Sequence, residues 1–338
     1  MIFLSQKDIE TLFSQLDSTV QLLRNEIDFS YLEALTESGS NLIEKNIPAE
    51  MKNILSPATA DKLTEIYQGV DTAHTEPEDI RKSLQLAILK GLKEDKVQAN
   101  HQMTPDAIGF MFVYFIEKVR DTSLKKMRIL DPTVGTGNLL STVYNALATA
   151  DIEVEAEGIE NDDLLIDLAA MATKLQRQNV KLTHQDAVQD LLVDPVDLVV
   201  SDLPIGYYPV DERAKTYTSA AKEGHSFAHH LLIEQSMKYL KPNAFGLFLV
   251  PKLMFETPEA ASLMKAIQEL GYLQGMLHLP KELFANEQSQ KSILLLQKNG
   301  DQAEQAKQVL LGNIPDLKNQ QSMLKFMQEV DNWKKENL

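Results

Sequence analysis

Asp131, Gly135 and Gly137 lie close together in "MRILDPTVGTGNLLSTVYNAL", where an apolar run ends in an acid, a glycine-containing turn and an apolar-periodic segment. This order of strand, turn and helix lets the backbone turn tightly and approach a ligand. The helix starting near Asn138 points its free N–H groups at the loop. Asp131 bears on the identity of the ligand. A carboxylate ahead of the glycines would repel a pyrophosphate but could accept from the ammonium of an amino-acid moiety, and there is no GK[ST] for a nucleoside triphosphate loop. The next strand ends in "GIEND" and places Glu160 23 residues after Gly137. That spacing suits an acid bonding both ribose hydroxyls of an adenosine. Asp186 in "THQDAV" follows another short strand, where it could sit beside an adenine or cap a helix. A further strand, "DLVVSDLPIGYYP", carries Asp202 and Pro204 into a turn with Tyr207 and Tyr208.

These residues need a scaffold that delivers several strand ends to one edge. From about residue 100, β-branched runs alternate with helical segments: "MRIL", "EVEAEGIE", "VDLVVSDL", "FGLFLVP", "LQGMLHLP" and "SILLLQK". The alternation predicts an α/β fold, a largely parallel sheet with helices on both faces, over residues 96–300. Residues 1–95 instead space apolar residues three and four apart in "DIETLFSQLDSTVQLLRNEI", "ATADKLTEIYQGV" and "EPEDIRKSLQLAILKGL", predicting an all-helical N-terminal domain. Residues 301–338 read as a helical extension, a proline break followed by an amphipathic helix that packs on the rest.

The bulk composition narrows the function. The net charge is −16, distributed as −8 over residues 1–95, −7 over 96–300 and −1 over 301–338. Nucleic-acid affinity comes from Lys and Arg neutralising phosphates, so any DNA contact is expected to be local, weak or assisted by a partner. The chain has no cysteine, which excludes disulfides and thiolate metal sites and agrees with a cytoplasmic address. No run approaches the ~18 apolar residues of a membrane span, so no membrane partner is expected.

The loop residues resemble motif I of class I S-adenosylmethionine-dependent methyltransferases. "DPTVGTGNLL" is similar to the DPACGTGGFL pattern of N6-adenine DNA methylases, especially the modification subunits of type I restriction systems. The resemblance runs from near residue 100 to near 300. It takes in "NHQMTPDAIGFMFVYFIEKV" upstream and "GHSFAHHLLIEQSMKYLKPNAFGLFLVP" and "LHLPKELFANEQSQKSILLLQK" downstream. It implies a Rossmann-like methyltransferase sheet and S-adenosyl-L-methionine as cofactor. The implied cofactor residues are Thr104, Pro105, Asp131, Thr133, Gly135, Gly137, Asn138, Leu139, Glu160, Asn161, Asp186 and Ala187. Thr104 and Pro105 also fit a plain N-cap with proline in the first turn. On the acceptor side the resemblance implies catalytic roles for Asp202 and Pro204. A side-chain oxygen and the following carbonyl accept from the exocyclic amine, and an aromatic stacks on the flipped base. The implied substrate is adenine N6 in DNA.

The turn departs from the family pattern at two positions. Leu203 replaces a proline and Ile205 replaces the stacking aromatic, leaving Tyr207 or Tyr208 as the candidate ring, with Tyr207 taken as the catalytic one. Two other readings therefore stay open: methylation of a protein or small-molecule amine, and a methyltransferase-fold protein that acts on a partner through residues 1–95 without catalysis. No metal is expected. His225 and His229 are four apart, but no third ligand is suitably spaced, and His229 and His230 read as structural. His101 could line the cofactor mouth. The basic stretch "KVRDTSLKKMR" reads as a solvated helix end.

Overall fold

The computed structural model describes residues 2–96, 103–284 and 286–338, so His101 lies outside the described residues. Five helices come first: α1 (Ile2–Arg24), α2 (Tyr31–Glu44), α3 (Ala49–Lys52), α4 (Pro57–Gly69) and α5 (Pro77–Glu94). Leu12, Leu16, Val20 and Leu23 recur at helical spacing on α1 and are all buried. Sequence reasoning did not single out α2. Its "TESGS" interior is rich in residues that weaken a helix, but they fit where it packs. Ser38 Oγ lies 2.5 Å from Thr19 Oγ1 on α1, and a Cβ at Gly39 would come within 2.4 Å of Met171. A capping box starts the helix: Ser30 Oγ accepts from the Glu33 amide, and Glu33 accepts from the Ser30 amide.

After α6 (Asp106–Val119), strands and helices alternate: β1 (Lys126–Asp131), α7 (Asn138–Thr149), β2 (Glu153–Glu160), α8 (Asp163–Leu175), β3 (Val180–His184), β4 (Val196–Asp202), α9 (Asp211–Ala214), α10 (Ala228–Tyr239) and β5 (Leu240–Pro251). Then follow α11 (Ala260–Leu270), β6 (Gly271–His278), β7 (Lys291–Lys298), β8 (Leu310–Asn313) and α12 (Gln320–Asn337). The sheet order is β3-β2-β1-β4-β5-β7-β6-β8. Strands β1 to β5 are parallel, and β7 runs antiparallel between β5 and β6. The expected α/β sheet and helical N-terminal part are both present. β8 was not foreseen, because four residues on the sheet edge carry too little pattern to read.

Two contacts tie the parts together. Leu165, Leu168, Met171, Ala172 and Leu175 of α8 are buried in the same apolar cluster as α1, α2, α4 and α5. The helix thus serves both the sheet and the helical bundle. At the other end, Phe326, Val330 and Trp333 of α12 join the core formed by α6, α7 and the sheet. Phe115 meets Phe326 edge-on at 6.4 Å, and Trp333 Nε1 donates to the Gln308 carbonyl at 2.6 Å. No described helix is long and apolar enough to cross a membrane.

Candidate functional site

Strand order reverses between β1 and β4, so the connections leave their carboxyl ends in opposite directions and open a crevice there. Asp131, Glu160, Asp186 and Asp202 reach this edge from β1, β2, the segment after β3, and β4.

The glycine loop is held from below. Gly135 donates to Glu160 Oε2 at 2.9 Å, while Oε1 of the same carboxylate accepts from the amides of Asn161 and Asp162 at 2.9 and 3.1 Å. The Asn161 side chain is exposed beside it. Gly135 and Gly137 have φ of +54° and +80°, a left-handed conformation in which a side chain is strained. A Cβ at Gly135 would meet nothing within 4 Å, whereas one at Gly137 would press on Ala169 at 3.4 Å. The loop therefore has one packed face and one open face, as a cofactor cradle requires. Gly137 is also the N-cap of α7, whose first amides point toward the loop.

Asp131 lies beneath the loop, only 1% exposed. Its Oδ1 accepts from Ser201 Oγ at 2.8 Å and from the Thr133 amide at 3.1 Å. Burial pushes its pKa up to about 7; the Ser201 and Thr133 bonds oppose the rise, and the charges of Asp202 and Glu160 add to it. Thr133 Oγ1 lies 2.6 Å from Ser201 Oγ and 3.2 Å from the Asp202 carbonyl oxygen. One hydroxyl thus bridges the loop after β1 and the turn after β4.

Asn138 and Leu139 do not face the open side of the loop. Leu139 is core, and Asn138 Nδ2 donates to the Thr104 carbonyl at 2.8 Å. Asn138 Oδ1 accepts from Arg81 Nη1 at 2.8 Å. Arg81, on α5 and 2% exposed, also bonds Glu78 at 2.7 Å and Asp106 at 2.7 Å. Burial alone would lower its pKa, but these carboxylates outweigh it and raise the pKa. Pro105 is the N-cap position of α6. Ala187 is buried below the sheet edge.

Asp202 is 18% exposed, and both of its carboxylate oxygens are engaged. Oδ2 accepts from Thr104 Oγ1 at 2.8 Å and Oδ1 from Lys291 Nζ at 2.5 Å. Beyond it Leu203 is buried, its amide donating to the Leu249 carbonyl at 3.1 Å, and Ile205 is 44% exposed. Asp186 accepts from the Val188 amide at 2.9 Å and from Tyr208 Oη at 2.6 Å. Tyr208 is buried, whereas Tyr207 is 60% exposed and stacks on Phe227, with ring centroids 4.7 Å apart and planes 15° apart. Burial depresses the pKa of His229 to about 3 and that of His230 to about 4. His225 instead pairs with Asp211 at 3.0 Å, and among the described residues no three His, Cys, Asp or Glu could hold a metal.

Sequence reasoning missed Ser201, Arg81, Lys291 and Phe227. Ser201 adjoins Asp202 in the motif, and Phe227 lies in the recognised downstream segment. Lys291 also lies in a recognised downstream segment, but it is 89 residues from Asp202 and nothing local marks their pairing. Most of the basic stretch 118–128 is paired: Lys118 with Asp331, Arg120 with Glu117, Lys126 with Glu155 and Arg128 with Glu157.

Comparison with known proteins places the fold in a family. Residues 10–92 match the YtxK N-terminal helical domain, and residues 89–336 match the N-6 DNA Methylase model. The chain is 40% identical over 334 residues to YtxK, an uncharacterised protein of Bacillus subtilis, covering 97% of this chain and 98% of that one. The crystal structure of a candidate class I S-adenosylmethionine-dependent methyltransferase from Listeria monocytogenes is similar at TM-score 0.90 and 45% identity, covering 97% and 99% of the two chains. A type I restriction-modification methyltransferase subunit from Streptococcus thermophilus shares the fold at TM-score 0.63 and 16% identity, over 95% of this chain and 74% of that one. The chain belongs to the N-6 DNA methylase family of methyltransferases, with a YtxK-type helical domain ahead of the methylase sheet.

Proposed function

We propose that this protein binds S-adenosyl-L-methionine on the loop from Asp131 to Gly137 and transfers its methyl group to an amino nitrogen, adenine N6 in DNA being the leading acceptor. The observation that carries the reading is the Thr133 hydroxyl, which joins the open glycine loop to the Asp202 turn through Ser201 and the Asp202 carbonyl. Donor and acceptor residues thereby share one hydrogen-bonded unit, and positioning is what a direct transfer demands. Glu160 would take the ribose hydroxyls and Asp186 the adenine side of the cofactor, with Asn161 at the rim.

Held on the Asp131 to Gly137 loop, the cofactor would supply an electrophilic methyl to an amine lone pair, its C–S electron pair leaving with sulfur. Asp202 would accept from the amine and orient its lone pair, and the proton released from the methylated nitrogen would pass to water. The carbonyl after Asp202 belongs to Leu203, whose buried side chain anchors it. Pro204, whose ring fixes its φ, stiffens the turn. Tyr207, backed by Phe227, supports a flat acceptor in place of the family's ring at position 205.

Ile205 favours a second reading, a cofactor binder without transfer, because an exposed isoleucine offers a base no ring to stack on. Calorimetry with S-adenosylmethionine and tritiated methyl transfer to DNA separate the two. Asp202→Ala is expected to abolish transfer while changing cofactor affinity less than about tenfold, roughly 1.4 kcal/mol. Tight cofactor binding with no label in any acceptor would favour the binder; no binding at millimolar cofactor would overturn both readings.

A further inference from the structure

Lys291 begins β7, on the far side of β5 from the Asp202 turn, and reaches across to place Nζ 2.5 Å from Asp202 Oδ1. We propose that Lys291 is a specificity-determining residue of the acceptor site. It cancels the charge of Asp202 and donates a hydrogen bond to the ring nitrogen beside the acceptor's exocyclic amine. The inference rests on the methyl-transfer reading above.

Charge comes first. A lone carboxylate at the transfer point would draw in an alkylammonium such as a lysine side chain. Here an ammonium is already paired with it, so a second cation gains little from Asp202 and meets a like charge at close range. A neutral amine suffers no such repulsion, and only an unprotonated nitrogen has the lone pair that transfer consumes.

Hydrogen bonding narrows the class further. With Thr104 on Oδ2 and Lys291 on Oδ1, the carboxylate still has lone pairs to accept from an N–H, while two of the three ammonium hydrogens remain to donate. Side by side they present an acceptor and a donor. That pattern complements an amino group conjugated to a neighbouring ring nitrogen, as at the edge of a flipped adenine. Lys291 and Asp202 are 21% and 18% exposed, open enough to meet a substrate and buried enough for the bond to count. The exposed Tyr207 face, stacked on Phe227, supplies flat apolar surface on the same turn. A carboxamide shares the amino-and-acceptor edge but has no ring to use that surface.

The test uses the full chain, tritiated S-adenosylmethionine and five acceptors: an adenine-containing oligonucleotide, the same oligonucleotide with 1-deazaadenine, the same with 7-deazaadenine, a glutamine peptide and a lysine peptide. The wild type should label adenine. One of the two deaza substitutions should lower its kcat/KM about tenfold. Lys291→Met should lose about tenfold on adenine but little more on that deaza analogue, with cofactor Kd within twofold of wild type; Lys291→Arg should keep the wild-type ranking. If Lys291→Met fails to fold, the wild-type and Lys291→Arg deaza series still decides. Preferential labelling of the lysine or glutamine peptide, or equal rates on adenine and both analogues, would overturn the inference while leaving methyl transfer intact. Absence of label in every acceptor would overturn both.

Discussion

Raising the pH from 6 to 8 should tighten S-adenosylmethionine binding about tenfold through Asp131. The carboxyl is wholly buried beneath the glycine loop, with a pKa of about 7 against an ordinary value of 3.8. It is about one-tenth ionised at pH 6 and about nine-tenths at pH 8. A cationic ligand on the loop would favour the ionised form of the carboxyl beneath it, so at pH 6 binding must first expel the proton. Each pH step below the folded pKa then costs up to ~1.4 kcal/mol of affinity. The linkage to stability has the opposite sense. Between 3.8 and about 7 the folded state holds the proton and the unfolded state has lost it. Stability without ligand therefore falls as pH rises through that window, by roughly 4 kcal/mol in total from this group. Calorimetry at pH 6, 7 and 8, in buffers of different ionisation enthalpy, measures both Kd and the proton released. Asp131→Asn should flatten the profile and separate it from titration of the ligand itself. A wild-type Kd that does not change over this range, or an unchanged slope in Asp131→Asn, would refute the argument.

Three further outcomes follow from the site's geometry. Gly135→Ala places a Cβ in a left-handed residue facing open space, so it should cost about 1–2 kcal/mol in thermal unfolding and weaken cofactor binding by more than that strain explains. Unchanged affinity would mean the open face is not the cradle. Arg81→Met should destabilise by about 3–5 kcal/mol in urea unfolding, since it leaves Glu78, Asp106 and Asn138 without their shared cation. A loss below 1 kcal/mol would show that the network is not structural. Tyr208→Phe removes the bond to Asp186 and should cost about 1 kcal/mol of stability while increasing mobility of the 203–210 turn in hydrogen exchange. Unchanged exchange there would show that Asp186 does not hold the turn.

Much of the candidate site was legible because its signals are local. The Asp131 to Gly137 loop, Glu160 at its 23-residue spacing and the Asp202 turn each lie within one strand and the residues after it, where short apolar runs and glycine chemistry leave a readable pattern. The strand sequence likewise announced an α/β sheet, and helical periodicity announced the N-terminal bundle. Within that bundle α2 was not singled out, because its serines and glycine weaken the helical pattern; packing against α1 and α8 gives the reason for small residues there.

The amino-acid sequence by itself determined which strand ends carry acids, where the backbone can turn left-handed and that the chain is strongly acidic. Only the tertiary structure decided who touches whom at long range. It brought Lys291 to Asp202, Tyr208 to Asp186 and Arg81 to Asn138, pairs separated by 89, 22 and 57 residues. It also buried Asp131 beneath its own loop, turning an apparent ligand contact into a braced carboxyl with a pKa of about 7. Periodicity records which face of an element is buried, but sheet order and packing decide which side chains meet and how far water is excluded from a charge.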